Sequence, residues 1–576
     1  MKFNILADYL EKLEKTASRI EITKILAEIF KKSEKWEIDK VTYLLLGTLA
    51  PSYKSIVFNL AERMMLDVLS EAYGVDKPKV REVYKKNGDL GLAAASIAQR
   101  KESKAQIINL SVLDVYNKLL VVAQDEGEGS QERKIQKMAD LLKIISPLSA
   151  KFVARIPVGK LRLGFSDKTV LDALSWMESG SKEKKAVLET AYNILPDVGL
   201  LAKKVIEEGV DKTVSYISPE IGIPMLPMLA QRLKSPVDMI KKMKRVFVEP
   251  KFDGLRIQIH YRKKGFENGS LVKVFTRNLN ETSWMFPELK KIGNFVKVDE
   301  AIFDSEAMGV NEELKTLANF QTTMTRRRKH DIEKIASKLA IKFYVFDMMY
   351  KDGKSLVGLP YEDRRKILSE SITNGNLLQV VEYEITESSE KINELMRQEL
   401  REGMEGIIVK RADSKYVAGR TGWRWVKIKE AENASAKLAD TLDLIVMGYT
   451  RSKGKRAKFG IGQFLVGIRE ESGKFLTVTK IGTGLTDLQF EEMKRRLSKL
   501  QIQKKPKSYD VHKDLEPDYW VEPSLVVEIA ADEITKSPKH TSGFALRFPR
   551  LIKFRDDKSP NEATTVAEVK KLYKLQ

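Results

Sequence analysis

Residues 1 to about 215 carry apolar side chains at helical spacing and show little strand-like alternation. Leu6, Leu10 and Leu13 recur every three or four positions, and the segment 22–29 repeats this spacing with isoleucine. Such a period places the apolar side chains on one face of a helix. The pattern therefore predicts an all-α N-terminal region.

The pattern changes at residues 217–227, where Pro219, Pro224 and Pro227 are typical of a linker or a domain entry. Beyond this point, apolar runs predict strands at 256–261, 271–275, 301–308, 341–349 and 406–410. Helical spacing predicts helices at 331–339, 361–371 and 388–401. This mixture predicts an α+β domain that ends near Glu430.

From about residue 431 the chain is predicted to be mostly β. Apolar runs predict strands at 442–449, 464–469, 475–481 and 524–530, interrupted by one helix at 488–500. A few short strands with one helix are typical of a small barrel such as an OB-fold. The chain is therefore predicted to have three domains, at 1–215, 216–430 and 431–576.

Composition narrows the class of partner and of chemistry. The net charge is +21, which favours a polyanionic partner such as nucleic acid; the alternative is a generally lysine-rich surface. The chain has no cysteine, which excludes disulfides, thiolate catalysis and cysteine-ligated zinc. The four histidines lie far apart, so that any metal is expected to be a hard cation bound by carboxylates.

Targeting signals are not evident. The first residues, MKFNILADYLEKLEKTASRIE, have the pattern of an amphipathic helix rather than of a signal peptide. No apolar run reaches the roughly 20 residues that are needed to span a bilayer. We therefore expect an intracellular, cytoplasmic protein.

The clearest candidate for covalent chemistry is Lys251, in the run EPKFDGLR at 249–256. A lysine amine attacks only after it loses a proton, and nearby cations or burial can lower its pKa from about 10.4. Asp253 follows two residues later, then a glycine that allows the backbone to turn, and Arg256 suits a phosphate or a carboxylate. The alternative is a strand end followed by a turn.

A similar run occurs at Lys351-Asp352-Gly353. Here no residue separates lysine from aspartate, so their side chains point to opposite sides of an extended chain. This run is predicted to be a hairpin turn.

Further polar and aromatic residues lie on or near the predicted strands of the middle region. They are Arg277 in FTRN, Glu306 in FDSEAM, Phe343 and Phe346 in FYVFD, Glu405 and Lys410 in EGIIVK, and Lys427 and Lys429 in WVKIK. Each has an ordinary structural interpretation, such as a core aromatic or an exposed strand residue. Lys427 and Lys429 are two apart and share one face of a strand.

Together these residues supply the groups that nucleotidyl transfer requires. The reaction needs a nucleophilic amine, cations around the phosphates, carboxylates for a hard divalent ion, and an aromatic surface for the base. Glu306 and Glu405 suit the metal, and the downstream lysines suit triphosphate oxygens. The chain has no G-x-x-x-x-G-K-[ST] loop, so ATP would bind without a P-loop.

The ordered series KFDG, FTRN, DSEAM, FYVFDMMY, EGIIVK and WVKIK resembles the motifs of the covalent nucleotidyltransferases, which include DNA ligases, RNA ligases and mRNA capping enzymes. The C-terminal run ALRFPRLIKFRDDK at 545–558 resembles the last motif of archaeal and eukaryotic ATP-dependent DNA ligases. VGKLRLGFSDKTVLDAL, at 158–174, resembles their helical DNA-binding domain, and IPMLPMLAQ, at 223–231, their next domain's entry.

The resemblance implies a three-step reaction that seals nicks in duplex DNA during replication, repair and recombination. Lys251 is adenylylated by ATP, the AMP passes to the 5′-phosphate at the nick, and the 3′-hydroxyl displaces AMP. The expected cofactors are ATP and Mg²⁺, with Mn²⁺ able to substitute. The expected partner is nicked double-stranded DNA, encircled by the three domains of a monomer.

The resemblance also implies individual roles. Glu249 would contact the adenine amine, Arg256 and Arg277 the sugar and phosphates, and Phe346 the base, with Phe343 as the competing residue. Glu306 and Glu405 would bind metal, and Glu306 would also contact the nucleotide. Lys410 and Lys427 would contact the α-phosphate, with Lys429 nearby. The residues implied to orient pyrophosphate are Arg547, Arg550, Arg555, Asp557 and Lys558.

Two basic segments are candidates for DNA contacts. Lys160 and Arg162 lie in a turn before a helix predicted at 167–177, which Ser166 or Asp167 can cap. Arg451, Lys453 and Lys455 lie in a glycine-containing loop that can approach phosphates. For both segments, a solvated surface loop is the alternative.

Two family features are incomplete here. The arginine that often precedes the first lysine of WVKIK by six residues is replaced by Thr421, so that Arg420 or Arg424 would contact ATP. A sliding-clamp peptide could lie at 106–110, QIINL, although this segment lacks paired aromatic residues.

The sequence argues against two alternatives to a DNA ligase. An RNA ligase or capping enzyme would lack the long helical region with its KLRLG turn. A non-catalytic DNA-binding scaffold would be expected to have lost Lys251, Glu306 or Glu405, all of which are present.

Overall fold

The computed structural model describes residues 1–100, 107–159, 161, 163–233, 235–311, 316–317, 340–419, 422–429, 441–451, 460–482, 485 and 487–575. The chain divides into two compact units, Met1–Ile428 and Lys429–Gln576. The predicted helix at 331–339 and the candidate residues Lys160, Arg162, Arg420, Lys453 and Lys455 lie outside the described residues.

The first part of the larger unit is helical, as the apolar spacing predicts. Leu6, Leu10 and Leu13 are buried in one core with three isoleucines of the second helix, Ile22, Ile25 and Ile29. The α-helices are Phe3–Lys15, Arg19–Lys32, Ile38–Leu45, Glu62–Tyr73, Lys77–Asn87, Leu90–Gln99, Val112–Gln124, Ser130–Ile144, Pro147–Val153, Asp167–Ser179, Lys185–Ile194, Val198–Glu208 and Val210–Tyr216.

The capping prediction for the helix Asp167–Ser179 is wrong. Ser166 occupies the N-cap position, but its side chain makes no capping hydrogen bond. The carboxylate of Asp167 instead accepts a hydrogen bond from the hydroxyl of Tyr192. A tertiary contact has thus replaced the local cap. Elsewhere, Ser111 and Asp114 do form a reciprocal capping box.

The second part of the larger unit is α+β. Its α-helices are Pro236–Met243, Tyr361–Ser371 and Ser389–Arg401. Its strands are β1 (Gln231–Arg232), β2 (Val246–Pro250), β3 (Leu255–Arg262), β4 (Val272–Thr276), β5 (Glu300–Asn311), β6 (Thr316–Leu317), β7 (Ala340–Lys351), β8 (Lys354–Ser355), β9 (Leu378–Val380), β10 (Glu384–Thr386), β11 (Gly406–Arg411) and β12 (Trp425–Lys429).

These strands form two sheets. One has five strands in the order β1-β12-β11-β2-β10, and the other has the order β4-β3-β5-β7-β8, with β6 beside β5 and β9 beside β7. Side chains alternate between the two faces of a strand. One face of each sheet packs into its own apolar core. The opposite faces share a third core that contains Phe247, Ile302, Phe346 and Trp425, so they face each other. We call the space between these two faces the cleft.

The hairpin predicted at Lys351-Asp352-Gly353 is confirmed. Strands β7 and β8 pair antiparallel, with Lys351 opposite Lys354. Asp352 and Gly353 have φ angles of 44° and 84°. Two successive positive φ angles are typical of the type I′ turn that closes a two-residue hairpin.

The smaller unit is β-rich. Its strands are β13 (Leu442–Arg451), β14 (Ile461–Arg469), β15 (Phe475–Ile481), β16 (Gln501–Ile502), β17 (Tyr509–Asp510), β18 (Tyr519–Val521), β19 (Val526–Ala530), β20 (Glu533–Lys536), β21 (Phe544–Arg547) and β22 (Arg550–Phe554), and its α-helices are Asp487–Leu500 and Val566–Leu575. Strand β13 pairs with β14, β18 and β19. The described pairs build a β-rich sheet but do not close a ring.

Among the described residues, no helix has both the length and the apolar character to cross a membrane.

His260 joins the domain-entry segment to strand β3. Its Nδ1 accepts a hydrogen bond of 3.0 Å from the backbone N–H of Gly222, and its ring contacts the Phe275 ring edge-on. Burial, with nearby Lys273, lowers the pKa of His260 to about 3. The folded chain thus holds this imidazole neutral where an unfolded chain protonates it, below about pH 6.5.

We expect His260 to make stability depend on pH. Between about pH 6.5 and 3 the unfolded state binds the additional proton, so the free energy of unfolding falls as pH falls, by up to about 1.4 kcal/mol per pH unit. Wild type should therefore lose about 2 kcal/mol more than His260→Gln between pH 7 and 5 in urea unfolding. Exposed His512 provides the control His512→Gln, which should behave as wild type. Equal losses in wild type and His260→Gln would contradict this expectation.

Candidate active site

Lys251 follows directly after strand β2, beside the beginning of β11. Its backbone N–H donates to the carbonyl of Gly406 at 2.9 Å, and its carbonyl accepts from the N–H of Glu405 at 3.0 Å. These two bonds bring the side chains of Lys251 and Glu405 together, and the Lys251 ammonium donates a hydrogen bond to the Glu405 carboxylate. The side chains of Lys251 and Glu405 are partly exposed, at 17% and 24%.

The facing sheet supplies Glu306. Strands β3 and β5 place Arg256 opposite Glu306. Burial raises the pKa of Glu306 to about 7, although the charges of Lys251 and Arg256 oppose this shift. Lys251 therefore lies within electrostatic range of carboxylates from both sheets, Glu405 and Glu306.

Gly254 permits this close approach of the two strands. A Cβ atom built there would lie 2.3 Å from Sδ of Met308 and 2.6 Å from the carbonyl oxygen of Ala307. The chain bends at Gly254, as the run EPKFDGLR predicts, but the φ of this glycine does not lie in the left-handed region. The reason for glycine is instead the absence of a side chain against β5.

A second cluster lies further along the cleft, around Glu249. This carboxylate is 3% exposed, and one of its oxygens lies 2.6 Å from Nζ of Lys410. Its other oxygen accepts a hydrogen bond from the hydroxyl of Tyr361. Lys410 also donates to the Tyr361 hydroxyl at 2.9 Å, which completes a triangle of three buried groups. Burial lowers the pKa of Lys410 to about 8.

Aromatic rings surround this cluster. The Lys410 ammonium lies 4.5 Å from the ring centre of Phe346 and 4.4 Å from that of Trp425. The Arg256 guanidinium lies 5.4 Å from both rings and forms a two-pronged ion pair with Asp304. The buried indole Nε1 of Trp425 has no hydrogen-bond partner among the described residues. An aromatic pocket with an unused donor fits a heterocyclic base.

The two candidate phenylalanines lie on opposite sides of strand β7. Phe346 belongs to the core that lines the cleft. Phe343 is fully buried in the core beneath the sheet, where it packs against Phe286. Of the two rings, only that of Phe346 faces the cleft.

Family models match three stretches that together cover most of the chain. Residues 2–175 match the DNA ligase N terminus, residues 227–429 the ATP dependent DNA ligase domain, and residues 457–558 the ATP dependent DNA ligase C terminal region. The chain belongs to the ATP-dependent DNA ligases. Members of this family use ATP and a divalent metal to join nicks in DNA.

Relatives of the ligase match over its whole length. A "Probable DNA ligase" of Dictyoglomus turgidum is 38% identical over 586 residues, which cover 100% of this chain and 98% of the relative. The DNA ligase of Sulfolobus acidocaldarius is 35% identical over 595 residues, with the same coverage. The solved structure Pmar-Lig_PreS3 has a TM-score of 0.54 at 20% identity, over 96% of this chain and 99% of that one.

These matches confirm the predicted order of the fold classes along the ligase chain. A helical N-terminal region precedes a nucleotidyltransferase domain and a β-rich C-terminal region.

The remaining candidates of the nucleotidyltransferase domain lie on or beside strands β4 and β12. Arg277 lies in an exposed turn after β4. Lys427 lies two residues after Trp425 on β12, and Lys429 is the last residue of that strand. Arg424 directly precedes β12.

Lys410 lies away from the end of the cleft where Lys251 is found. It is four residues beyond Gly406 on β11, a separation of about 13 Å in a strand. Its side chain is 2% exposed and contacts Glu249. In this structure Lys410 thus belongs to the cluster around Glu249, which aromatic rings surround. The resemblance implied instead that Lys410 contacts the α-phosphate.

The smaller unit of the ligase carries the C-terminal motif. Arg547 ends β21, and Arg550 begins β22. Arg555 forms ion pairs with Asp443 and Asp557, and Lys558 forms one with Asp443. The pair with Arg555 holds the pKa of Asp557 well below its usual range. Arg451 is exposed at the end of β13.

The motifs did not indicate three residues of the cleft: Asp304, Tyr361 and Trp425. Asp304 and Trp425 could have been found, because each lies two residues from a candidate on the same strand face, Glu306 and Lys427. Tyr361 begins a helix, and it contacts Glu249 across 112 residues of sequence. No local pattern indicates such a contact.

Residues for a divalent metal are available in the cleft. Among the described residues there is no group of three histidines or carboxylates that could hold an ion by themselves. Mg²⁺, however, usually keeps several waters and binds through one or two carboxylates plus substrate phosphates. The paired Glu405 and the partly buried Glu306 on either side of Lys251 fit that requirement.

Proposed function

We propose that the ligase seals nicks through a covalent bond between Lys251 and AMP. The observation that supports this most strongly is the position of the Lys251 amine near both Glu405 and Glu306, in the cleft that also holds the aromatic pocket. Glu405 can accept the proton that the amine must lose, and the two carboxylates can hold a divalent ion beside the attacked phosphate.

The first step forms an N–P bond between Nζ of Lys251 and the α-phosphorus of ATP. The bond from this phosphorus to the bridging oxygen breaks, and pyrophosphate leaves. Lys251 must lose a proton, and Glu405 is the carboxylate in contact with its ammonium. A divalent ion, for which Mg²⁺ is the first choice and Mn²⁺ the second, would neutralise phosphate charge when bound by Glu306 and Glu405.

The second and third steps transfer AMP and then release it. An oxygen of the 5′-phosphate attacks the AMP phosphorus, and the N–P bond to Lys251 breaks. The 3′-hydroxyl then attacks the 5′-phosphorus, so that the new phosphodiester forms and AMP leaves. No external energy source is required, because ATP has already supplied the activated phosphate.

Binding roles follow from position in the cleft. Phe346 and Trp425 would hold the base, with Glu249 at its amine. Arg256 and Arg277 would contact the sugar and phosphates, and Arg420 or Arg424 would assist. Lys427 and Lys429 would bind the α-phosphate, and the contacts of Lys410 support a role at the base instead. After movement of the C-terminal domain, pyrophosphate would be oriented by five residues of the last motif: Arg547, Arg550, Arg555, Asp557 and Lys558.

We propose that the ligase acts as a monomer of three domains, at 1–215, 216–430 and 431–576, the last an OB-fold. We place it in the cytoplasm, at the nucleoid, because DNA is its substrate. A sliding clamp could bind at 106–110, where Ile107 and Ile108 are 40% and 47% exposed. Mutation of these isoleucines should then abolish clamp binding and leave clamp-free sealing unchanged.

The steps can be tested separately with labelled ATP. The protein should acquire label from ATP, and addition of nicked DNA should move that label to the DNA 5′-phosphate before sealing. Nicked RNA duplexes should accept little label, and GTP should label the protein weakly. Efficient sealing of RNA, or labelling by GTP as strong as by ATP, would favour the RNA ligase or capping-enzyme reading.

DNA affinity should fall steeply with salt and depend little on sequence, because phosphates are expected to make most of the contacts. Each neutralised phosphate contributes about 0.9 to the slope of log affinity against log salt. The double variant Lys453→Ala/Lys455→Ala should therefore flatten that slope by about 2. Fluorescence anisotropy on two nicked duplexes of unrelated sequence would measure it. An unchanged slope would assign these lysines to a solvated loop.

A further inference from the structure

We propose that Tyr361 is a positioning residue which, together with Lys410, makes Glu249 an acceptor-only group that selects a 6-aminopurine. The inference rests on the proposed binding of the ATP base in this pocket. It assigns a role to Tyr361, the first residue of the helix Tyr361–Ser371.

The direction of each hydrogen bond follows from what each group can donate. A lysine ammonium only donates, and Lys410 donates to Glu249 and to the Tyr361 hydroxyl. The single hydroxyl hydrogen of Tyr361 must therefore point away from Lys410. It is directed to Glu249, with the Phe346 carbonyl as a second acceptor at 2.9 Å.

Near neutral pH, the protonation states of Lys410 and Tyr361 preserve these hydrogen-bond directions. Burial lowers the pKa of Lys410 only to about 8, so its amine is mostly charged at pH 7. Burial and Glu249 raise the pKa of Tyr361 well above its usual value, so its hydroxyl stays a neutral donor. Tyr361 thus donates to Glu249, Lys410 donates to both Glu249 and the Tyr361 hydroxyl, and the Glu249 carboxylate itself only accepts.

A purine that stacks beside Phe346 would meet these lone pairs. The 6-amino group of adenine can donate to a Glu249 oxygen. The 6-oxo group of guanine or hypoxanthine would instead place one acceptor against another in a buried site. Sites built around such hydrogen bonds discriminate strongly, because the mismatched base leaves buried polar groups unpaired.

The surrounding contacts keep Tyr361 in place. Arg364, one turn further along the helix, forms a fully buried ion pair with Asp347, the neighbour of Phe346 on β7. It also donates to the carbonyls of Leu359 and Ser414. The Tyr361 ring packs edge-on against Phe247 and Trp425. A selecting group is precise when its supporting residues are rigid in this way.

The test is adenylylation of Tyr361→Phe, measured with ATP and with ITP, whose base has a 6-oxo group and an N1–H where adenine has a 6-amino group and an unprotonated N1. Removal of the hydroxyl leaves Lys410 with a spare donor that can turn toward a 6-oxo group. We expect the ratio of kcat/KM for ATP to that for ITP to fall about 10-fold or more. The change should lie in KM, with kcat within about 3-fold, because Tyr361 does not touch the reacting atoms.

The control is Tyr350→Phe, which removes a hydroxyl from β7 that contacts Glu300 rather than the Glu249 cluster. It should keep the wild-type ratio. An unchanged ratio in folded Tyr361→Phe would overturn the inference. If Tyr361→Phe does not fold, Lys410→Gln decides in the same way, since its amide can donate to a 6-oxo group: a lower ratio supports the proposal, and an unchanged ratio overturns it. If wild type is not adenylylated at all, the proposed function fails instead.

Discussion

Lys251→Ala is expected to abolish adenylylation of the ligase while binding of nicked DNA persists. The variant lacks the only atom that the proposal allows to bond the α-phosphorus, so the loss should be on the order of 10⁴-fold or more. DNA affinity depends on phosphate contacts spread over the chain, and one side chain at the cleft should change it little. Incorporation of labelled AMP and fluorescence anisotropy measure the two properties.

The chain contains a matched control for this substitution. Lys351 is followed by aspartate and glycine, as in the motif, but lies on the hairpin between β7 and β8. Lys351→Ala should keep wild-type adenylylation. Loss of DNA binding together with activity in Lys251→Ala would indicate a structural lysine and would count against it as the nucleophile.

Arg364→Ala is expected to have the largest effect on stability. Arg364 and Asp347 are both 0% exposed, and the guanidinium binds the carboxylate through two nitrogens. Removal of one partner leaves a buried charge unpaired, which costs about 3–5 kcal/mol. Urea unfolding should show this loss, and the aromatic cluster around Phe346 should loosen with it.

A surface ion pair nearby provides the comparison. Arg245 and Glu362 pair at 2.9 Å with side chains 49% and 39% exposed. Arg245→Ala should cost less than about 1 kcal/mol, because water screens this pair. If Arg364→Ala and Arg245→Ala lower the free energy of unfolding by the same amount, the buried pair does not stabilise the helix against β7. The double variant Arg364→Leu/Asp347→Leu should recover much of the loss, since no charge then remains buried.

Much of the fold was predictable because the apolar period is local. Strands β3, β4, β5, β7 and β11 were all predicted within a few residues of their observed bounds. Strand β2 was missed, although it leads into Lys251. Its apolar run, Val246–Val248, is only three residues long, and both of its faces are buried, so it shows no alternation.

The shortest strands depend on tertiary pairing. β9 and β10 have three residues each, and β16 and β17 have two, which is too few for a periodic signal. Their pairing partners are distant in sequence, as with β9 beside β7. No property of the local sequence determines such a pairing.

The site was predictable where a motif places several groups in a fixed order. Lys251, Glu306 and Glu405 were selected in this way, and the structure brings them together. The position of Lys410 along the cleft was not predictable from its motif, since strand alternation gives its face but not its neighbours. The contact between Tyr361 and Glu249 joins a helix to a strand 112 residues away, beyond the reach of any periodicity.

The central claim is that one lysine amine carries AMP. Mass spectrometry of the intact protein after incubation with ATP and Mg²⁺, followed by peptide mapping, tests it most directly. The account predicts one added AMP per chain, attached to Lys251 and removed when nicked DNA is supplied. An adduct on any other residue, or sealing of nicks without any protein-bound AMP, would contradict it.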